Sequence, residues 1–292
     1  MITAEAPLLR NLSRIASRKT LFFACLLLVL AGGLYASTLI DLVSEWWRNP
    51  DYSHGFLVPL AMAYFLKRKW KVLSDLTVQP ADSGLVILLL SQAIFLVGYL
   101  GSEFFLQRIS ILVFLTGSIL FFLGWRHARE MSYILCLFAL AIPLPALIFN
   151  ALTLPMQLLA SSWAESTLRF CHVPVYREGN ILQLAHEVLN VTEACSGVRS
   201  LISLITLGMI IAPFLLVRWW IRAAFVLSAL PIAIVANVFR VAATGLLSGW
   251  IGSRAATGFF HTFSGLVIFL AGCLMLLAEA SILLRTISRE KA

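Results

Sequence analysis

Three side chains in the second half of this chain have the right types for acyl transfer. Cys195 sits in Glu193-Ala194-Cys195-Ser196-Gly197-Val198-Arg199, where a polar stretch gives way to a long apolar run. A thiol at a helix start or beside a cation gains thiolate character, the form that attacks a carbonyl. Arg240 lies within a later apolar run, where charge is costly and marks function. A guanidinium keeps its proton, so it suits stabilising an oxyanion. His261 opens the last apolar run and has the ordinary pKa for exchanging protons with a thiol and an amine. Asn237, one turn before Arg240 on the same helical face, is placed to orient it.

Other residues stand near these. Arg199 is one turn beyond Cys195, as a second functional cation or as a packing partner for Glu193 or an outer lipid group. His54, in Tyr52-Ser53-His54-Gly55, is a substrate-contact candidate or a helix cap. The triad also has plainer readings: Cys195 as a small helix-start residue, Arg240 as a structural pair, His261 as an interfacial hydrogen-bonding residue. Two competing uses of the thiol are a zinc set of Cys171, His172, His186 and Cys195, and a Cys171 to Cys195 disulfide. The zinc set lacks any regular ligand spacing, and neither use explains Arg240.

The elements that must position these groups follow from composition. Hydrophobic residues make up 60% of the 292 and charged residues 12%, about half the usual charged share of a soluble domain. With a mean hydropathy of +0.92, the chain is expected to be an all-α membrane protein, because only helices or closed barrels satisfy their backbone in hydrocarbon. The net charge of +8 belongs to short loops between spans, so it sets orientation and does not imply nucleic acid. One domain over 1–292 is expected, a polytopic bundle of about eight transmembrane helices.

The expected spans are 21–40, 55–66, 84–100, 109–123, 131–149, 195–217, 221–247 and 258–284. Pro143 and Pro145 should kink the fifth near its outer end. The outer segment 150–194 should hold an interfacial or re-entrant helix over 151–168 and a β-hairpin-like pair, 173–176 and 181–184, with 188–191 as a third strand. About two thirds of the 22 Lys and Arg then lie inside, roughly a threefold excess over the outer segments. In this topology Cys195, Arg240 (about 10 Å below its helix end) and His261 come from successive spans to one outer level. A full crossing by 151–168 would instead invert every later span.

Glu193 to Leu201, Ala236-Asn237-Val238-Phe239-Arg240 and Phe260-His261 resemble the three signature blocks of the exosortase/archaeosortase family, and Tyr52 to Pro59 resembles its N-terminal block. The resemblance spans about Trp46 to Leu284. It implies a multi-pass cysteine transpeptidase with Cys195 as nucleophile and Arg240 and His261 completing the triad. Its substrates would be exported membrane proteins with a C-terminal sorting signal of Pro-Glu-Pro type, a transmembrane helix and a basic tail. It also implies an inner-membrane enzyme with a periplasmic active site, associated with exopolysaccharide production. Some relatives carry a further C-terminal soluble domain, which the short tail 285–292 would not supply. Partners are therefore the lipid bilayer, that substrate and an acceptor nucleophile; no metal or cofactor is expected. The alternative is a transporter or exopolysaccharide-export component with Arg240 lining an anion path, though no inverted repeat supports it.

Overall fold

The computed structural model describes residues 18–185, 187–191, 197–215, 218–251 and 258–289. They form two compact units, Met1–Pro143 and Leu144–Ala292. Six helical stretches among the described residues are long and apolar enough to cross a membrane. Their outward faces are apolar: Leu85, Val86 and Leu89 in one helix and Leu147, Ile148 and Leu152 in another are exposed, as lipid-facing surfaces require.

In the first unit, α1 (Arg18–Arg48) runs well past the apolar stretch 21–40, taking in Asp41 and Glu45, which were expected in a loop. Nothing breaks it before Asn49-Pro50, where proline disfavours helical geometry in the residue before it. The Asn49 side chain then accepts a hydrogen bond from the Asp51 N–H and starts a 3₁₀ turn, Pro50–Phe56. Helices α2 (Leu57–Asp75), α3 (Ser83–Leu100), α4 (Phe104–Phe122) and α5 (Trp125–Leu140) follow. α3 and α4 pack backbone to backbone: a Cβ on Gly84 would meet the Phe121 nitrogen at 2.2 Å, and one on Gly117 the Leu88 nitrogen at 2.9 Å. Small residues permit this approach where no hydrophobic effect drives helices together.

The expected kink at Pro143 and Pro145 is a full break. α5 ends at Leu140, and α6 (Ala146–Phe170) begins after Pro145, because two prolines in three residues remove donors and clash with the preceding turn. α6 absorbs 151–168 into one 25-residue helix that qualifies by length and hydropathy as a candidate span; the sequence reading favoured a shorter interfacial piece. Its inward face carries Thr153, Gln157, Ala160, Ser161, Ala164 and Leu168. That stripe is small and partly polar.

The segment after α6 forms an antiparallel sheet of β1 (Val175–Glu178), β2 (Ile181–Leu184) and β3 (Val188–Asn190), in that order. The first strand starts two residues later than the sequence suggested, because the turn is only Gly179-Asn180, pairing Glu178 with Ile181. Gly179 has φ +62°, the positive value a two-residue hairpin turn with glycine first uses. Leu182, Leu189 and Val191 bury against Ala160, Ala164 and Leu168 of α6 and against Val241 and Ala242. Glu165 receives Arg169 at 2.7 Å and Arg177 at 2.9 Å, tying sheet to helix.

α7 (Val198–Leu215), α8 (Trp219–Leu227), α9 (Ala229–Ile251) and α10 (Gly258–Arg289) complete the second unit. The expected seventh span is split at Ser228, three residues before Pro231, whose ring opposes helix continuation. Ser228 Oγ donates to the Glu279 carboxylate of α10, giving that acid a partner.

The Tyr52 to Gly55 block forms a buried corner of the first unit. The Trp46 indole donates to the Ala141 carbonyl at 2.8 Å. A Cβ on Gly55 would lie 2.5 Å from that indole. His54 Nε2 donates to the Leu140 carbonyl at 3.2 Å, so both rings pin the end of α5. Burial lowers the His54 pKa, partly opposed by backbone groups of Leu140 and Asp51. The folded pKa thus lies below the unfolded value of about 6.5. The resulting stability is full above that pH and declines as pH falls through it toward the folded pKa. Melting in detergent at pH 7.5 and 5.5 should show a smaller acid-induced drop in Tm for His54→Gln than for the natural protein. Equal drops would mean that the imidazole is not held neutral.

Candidate active site

The site elements meet through α9, which packs against both α7 and α10, while α7 also touches α10. Below the site their contact is an apolar cluster of Leu204, Phe225, Ala229, Ile232, Ala233 and Leu276. Every side chain there is apolar, so no polar group competes with close packing.

Cys195 and Glu193 lie outside the described residues. The chain is described again from Gly197, two residues after the thiol. Gly197 has φ +82°, and a Cβ there would fall 2.9 Å from Asn237 Cβ and 3.0 Å from Asn237 Cγ. Glycine is demanded twice at this position, by the left-handed backbone and by the absence of room. The start of α7 is therefore seated on Asn237, which is buried in α9. Arg199 follows in the first turn of α7, half-buried and engaged in its own contacts.

Arg240 is three residues beyond Asn237, one turn along α9 and on the same face. Its guanidinium lies against Gly265 of α10: a Cβ on Gly265 would be 3.3 Å from one terminal nitrogen and 3.5 Å from Cζ. Gly265 is four residues after His261, so the two share a face of α10. The His261 backbone lies in the first turn of α10, and its side chain is outside the described residues. α9 thus presents Asn237 to the segment following Cys195 and Arg240 to the helix face that bears His261.

The pairing of Asn237 with the Cys block was not legible as such: the sequence reading assigned Asn237 to Arg240 alone. Glycines at 197 and 265 carried the missing signal, since a glycine beside a buried polar residue on a neighbouring helix marks a close approach. His54 stands in the first unit with the structural contacts already described. Cys171 is an exposed free thiol, not a disulfide partner.

Gly197→Ala should cost on the order of 2 kcal/mol, combining left-handed strain with overpacking on Asn237. Melting of the purified variant checks this; an unchanged Tm would contradict the close seating of α7 on α9.

The profile of the transmembrane exosortases (Exosortase_EpsH) matches residues 46–278. No curated protein and no solved structure matches the chain. The matched region takes in the Tyr52 to Gly55 corner, the sheet, Gly197, Asn237, Arg240 and Gly265, as well as most of the candidate spans. Family and helices together support a multi-pass membrane protein with a role in sorting-related transpeptidation in general terms. Because that match covers well over half of its length, the chain belongs to the transmembrane exosortase family.

Proposed function

We propose that the protein is a thiol transpeptidase of the bacterial inner membrane that processes exported proteins at a C-terminal sorting signal. The observation that carries this reading is the double contact of α9: Asn237 on Gly197, and Arg240 on Gly265. Those contacts support a common site for the segment preceding Gly197, Arg240 and the first turn of α10.

In the reaction, the Cys195 thiolate attacks a substrate carbonyl, and Arg240 stabilises the tetrahedral oxyanion. Protonated His261 gives its proton to the departing amine as the C–N bond breaks, leaving an acyl thioester. An acceptor amine, or water, attacks the thioester and passes a proton to His261, and the thiolate leaves. Asn237 holds the start of α7 on the face that carries Arg240. Glu193 and Arg199 flank the thiol and tune its charge environment.

A signal of Pro-Glu-Pro type followed by a transmembrane helix suits an enzyme reached sideways from the bilayer, and a link with exopolysaccharide export fits the family. The distribution of Lys and Arg supports a periplasmic site. If α6 returns to the face it left, the sheet and the Cys195 loop lie outside, and Arg218, Arg222 and Arg285 lie inside.

Two measurements test the reading. Co-expression with an exported protein bearing a tail signal should yield a new C-terminus by mass spectrometry. Cys195→Ala should abolish it with the enzyme still in the membrane, and Arg240→Gln should slow it by about 10²- to 10³-fold; normal processing by Cys195→Ala sinks the mechanism. For sidedness, the exposed thiol of Cys171 should react with a membrane-impermeant maleimide added outside the inner membrane. Reaction only after permeabilisation would put the site on the cytoplasmic face.

A further inference from the structure

A cavity of about 670 Å³ opens in the second unit between the sheet and the far end of α9. On one side it is lined by Val173, Pro174 and Leu184, and on the other by Ala243, Leu246 and Leu247. These walls are apolar, and the polar residues of the lining are His172, Glu187 and Ser248. Of these, Glu187 has its Oε2 buried without a hydrogen-bond partner among the described residues. Its backbone is fixed, because the Glu187 carbonyl accepts the Leu184 N–H at 2.8 Å across the turn joining β2 to β3. A buried carboxylate oxygen left unpaired is costly unless a donor arrives from elsewhere.

The cavity lies beyond Arg240 along α9. Residues 243–248 lie three to eight positions beyond Arg240, or about 5 to 12 Å at 1.5 Å per residue. An extended peptide covers that distance in about two to four residues. A polypeptide held at Arg240 therefore reaches the cavity with a side chain close to its reacting bond.

We propose that this cavity is a specificity subsite for the polypeptide substrate. It takes one bulky apolar side chain between Ala243 and the sheet, and Glu187 accepts a hydrogen bond from a substrate backbone N–H beside it. The substrate class rests on the transpeptidase reading above. Occupancy of the cavity is a separate matter from the chemistry and is tested separately.

Ala243 is exposed toward the cavity, so a large residue there fills it without entering the helix core. The first measurement uses the Cys195→Ala protein with p-benzoylphenylalanine replacing Ala243, co-expressed with a secreted reporter bearing a tail signal. Irradiation should link position 243 to reporter residues within about four of the processed bond. The same photoprobe replacing Leu147, an exposed residue near the start of α6, should not. Absence of a reporter crosslink at 243, or equal crosslinking at 147, overturns the subsite whatever the enzyme's activity.

The second measurement varies each reporter residue near the bond from Ala to Leu or Phe. At one position the unaltered enzyme should favour the bulky residue by about tenfold, and Ala243→Trp should erase or invert that ratio. Glu187→Gln, which keeps an acceptor oxygen, should stay within about threefold of the unaltered rate, and Glu187→Leu should fall by about tenfold. A ratio unchanged in Ala243→Trp, or Glu187→Leu equal to Glu187→Gln, overturns the subsite. Processing that persists in Cys195→Ala would overturn the thiol mechanism and leave the crosslinking result standing.

Discussion

The second unit depends on one constraint: α9 carries an amide and a guanidinium into an apolar bundle, and both must be covered at close range. Hydrocarbon offers no hydrogen bonds, so a polar side chain there is tolerated only where protein surrounds it. The covering surfaces are glycines. Gly197 brings the start of α7 onto Asn237, and Gly265 brings α10 onto Arg240. A larger residue at either position would separate the helices and leave polar atoms facing lipid. The close packing of α9 on its two neighbours is therefore set by the same two contacts.

The same economy appears in the first unit, with different partners. There Trp46 and His54 each donate to a carbonyl at the end of α5, and Gly55 makes room for the indole. Helix ends expose carbonyls that need donors, and burying those donors in rings avoids water at the corner. His54 makes a structural contact here, its imidazole holding a backbone carbonyl. Its lowered pKa follows from that burial and is no mark of catalysis by itself.

Between the helices, α6 and the sheet make a platform whose inner face is small and whose rim is charged. Ala160 and Ala164 admit Leu182 and Leu189, and Glu165 collects Arg169 and Arg177 at the edge. This platform also borders Val241 and Ala242, the residues immediately after Arg240. The segment expected to hold a short helix and a hairpin therefore borders α9 just past Arg240, and the cavity lined by Glu187 lies at its end.

Much of this was legible in the chain itself. Apolar runs of about 20 residues between charged loops announce a helical membrane protein, since a continuous apolar run of that length satisfies its backbone in hydrocarbon as a helix. The Cys195, Arg240 and His261 blocks offer a candidate reactive set, and Arg240 is the member whose charge is costly in such surroundings. Local signals were less decisive wherever two rules competed. Prolines at 143 and 145 read as a kink and proved to be a break, and 151–168 read as a shorter interfacial piece and proved to be part of a 25-residue helix. Hydropathy averages over a helix, whereas packing acts on one face. What only tertiary structure decided is which residues meet: Gly197 with Asn237, Gly265 with Arg240, and Glu187 with the far end of α9. Sequence alone determines the period and polarity of each helix, but the distance between two helices depends on the side chains of both, and that appears only when they are packed together.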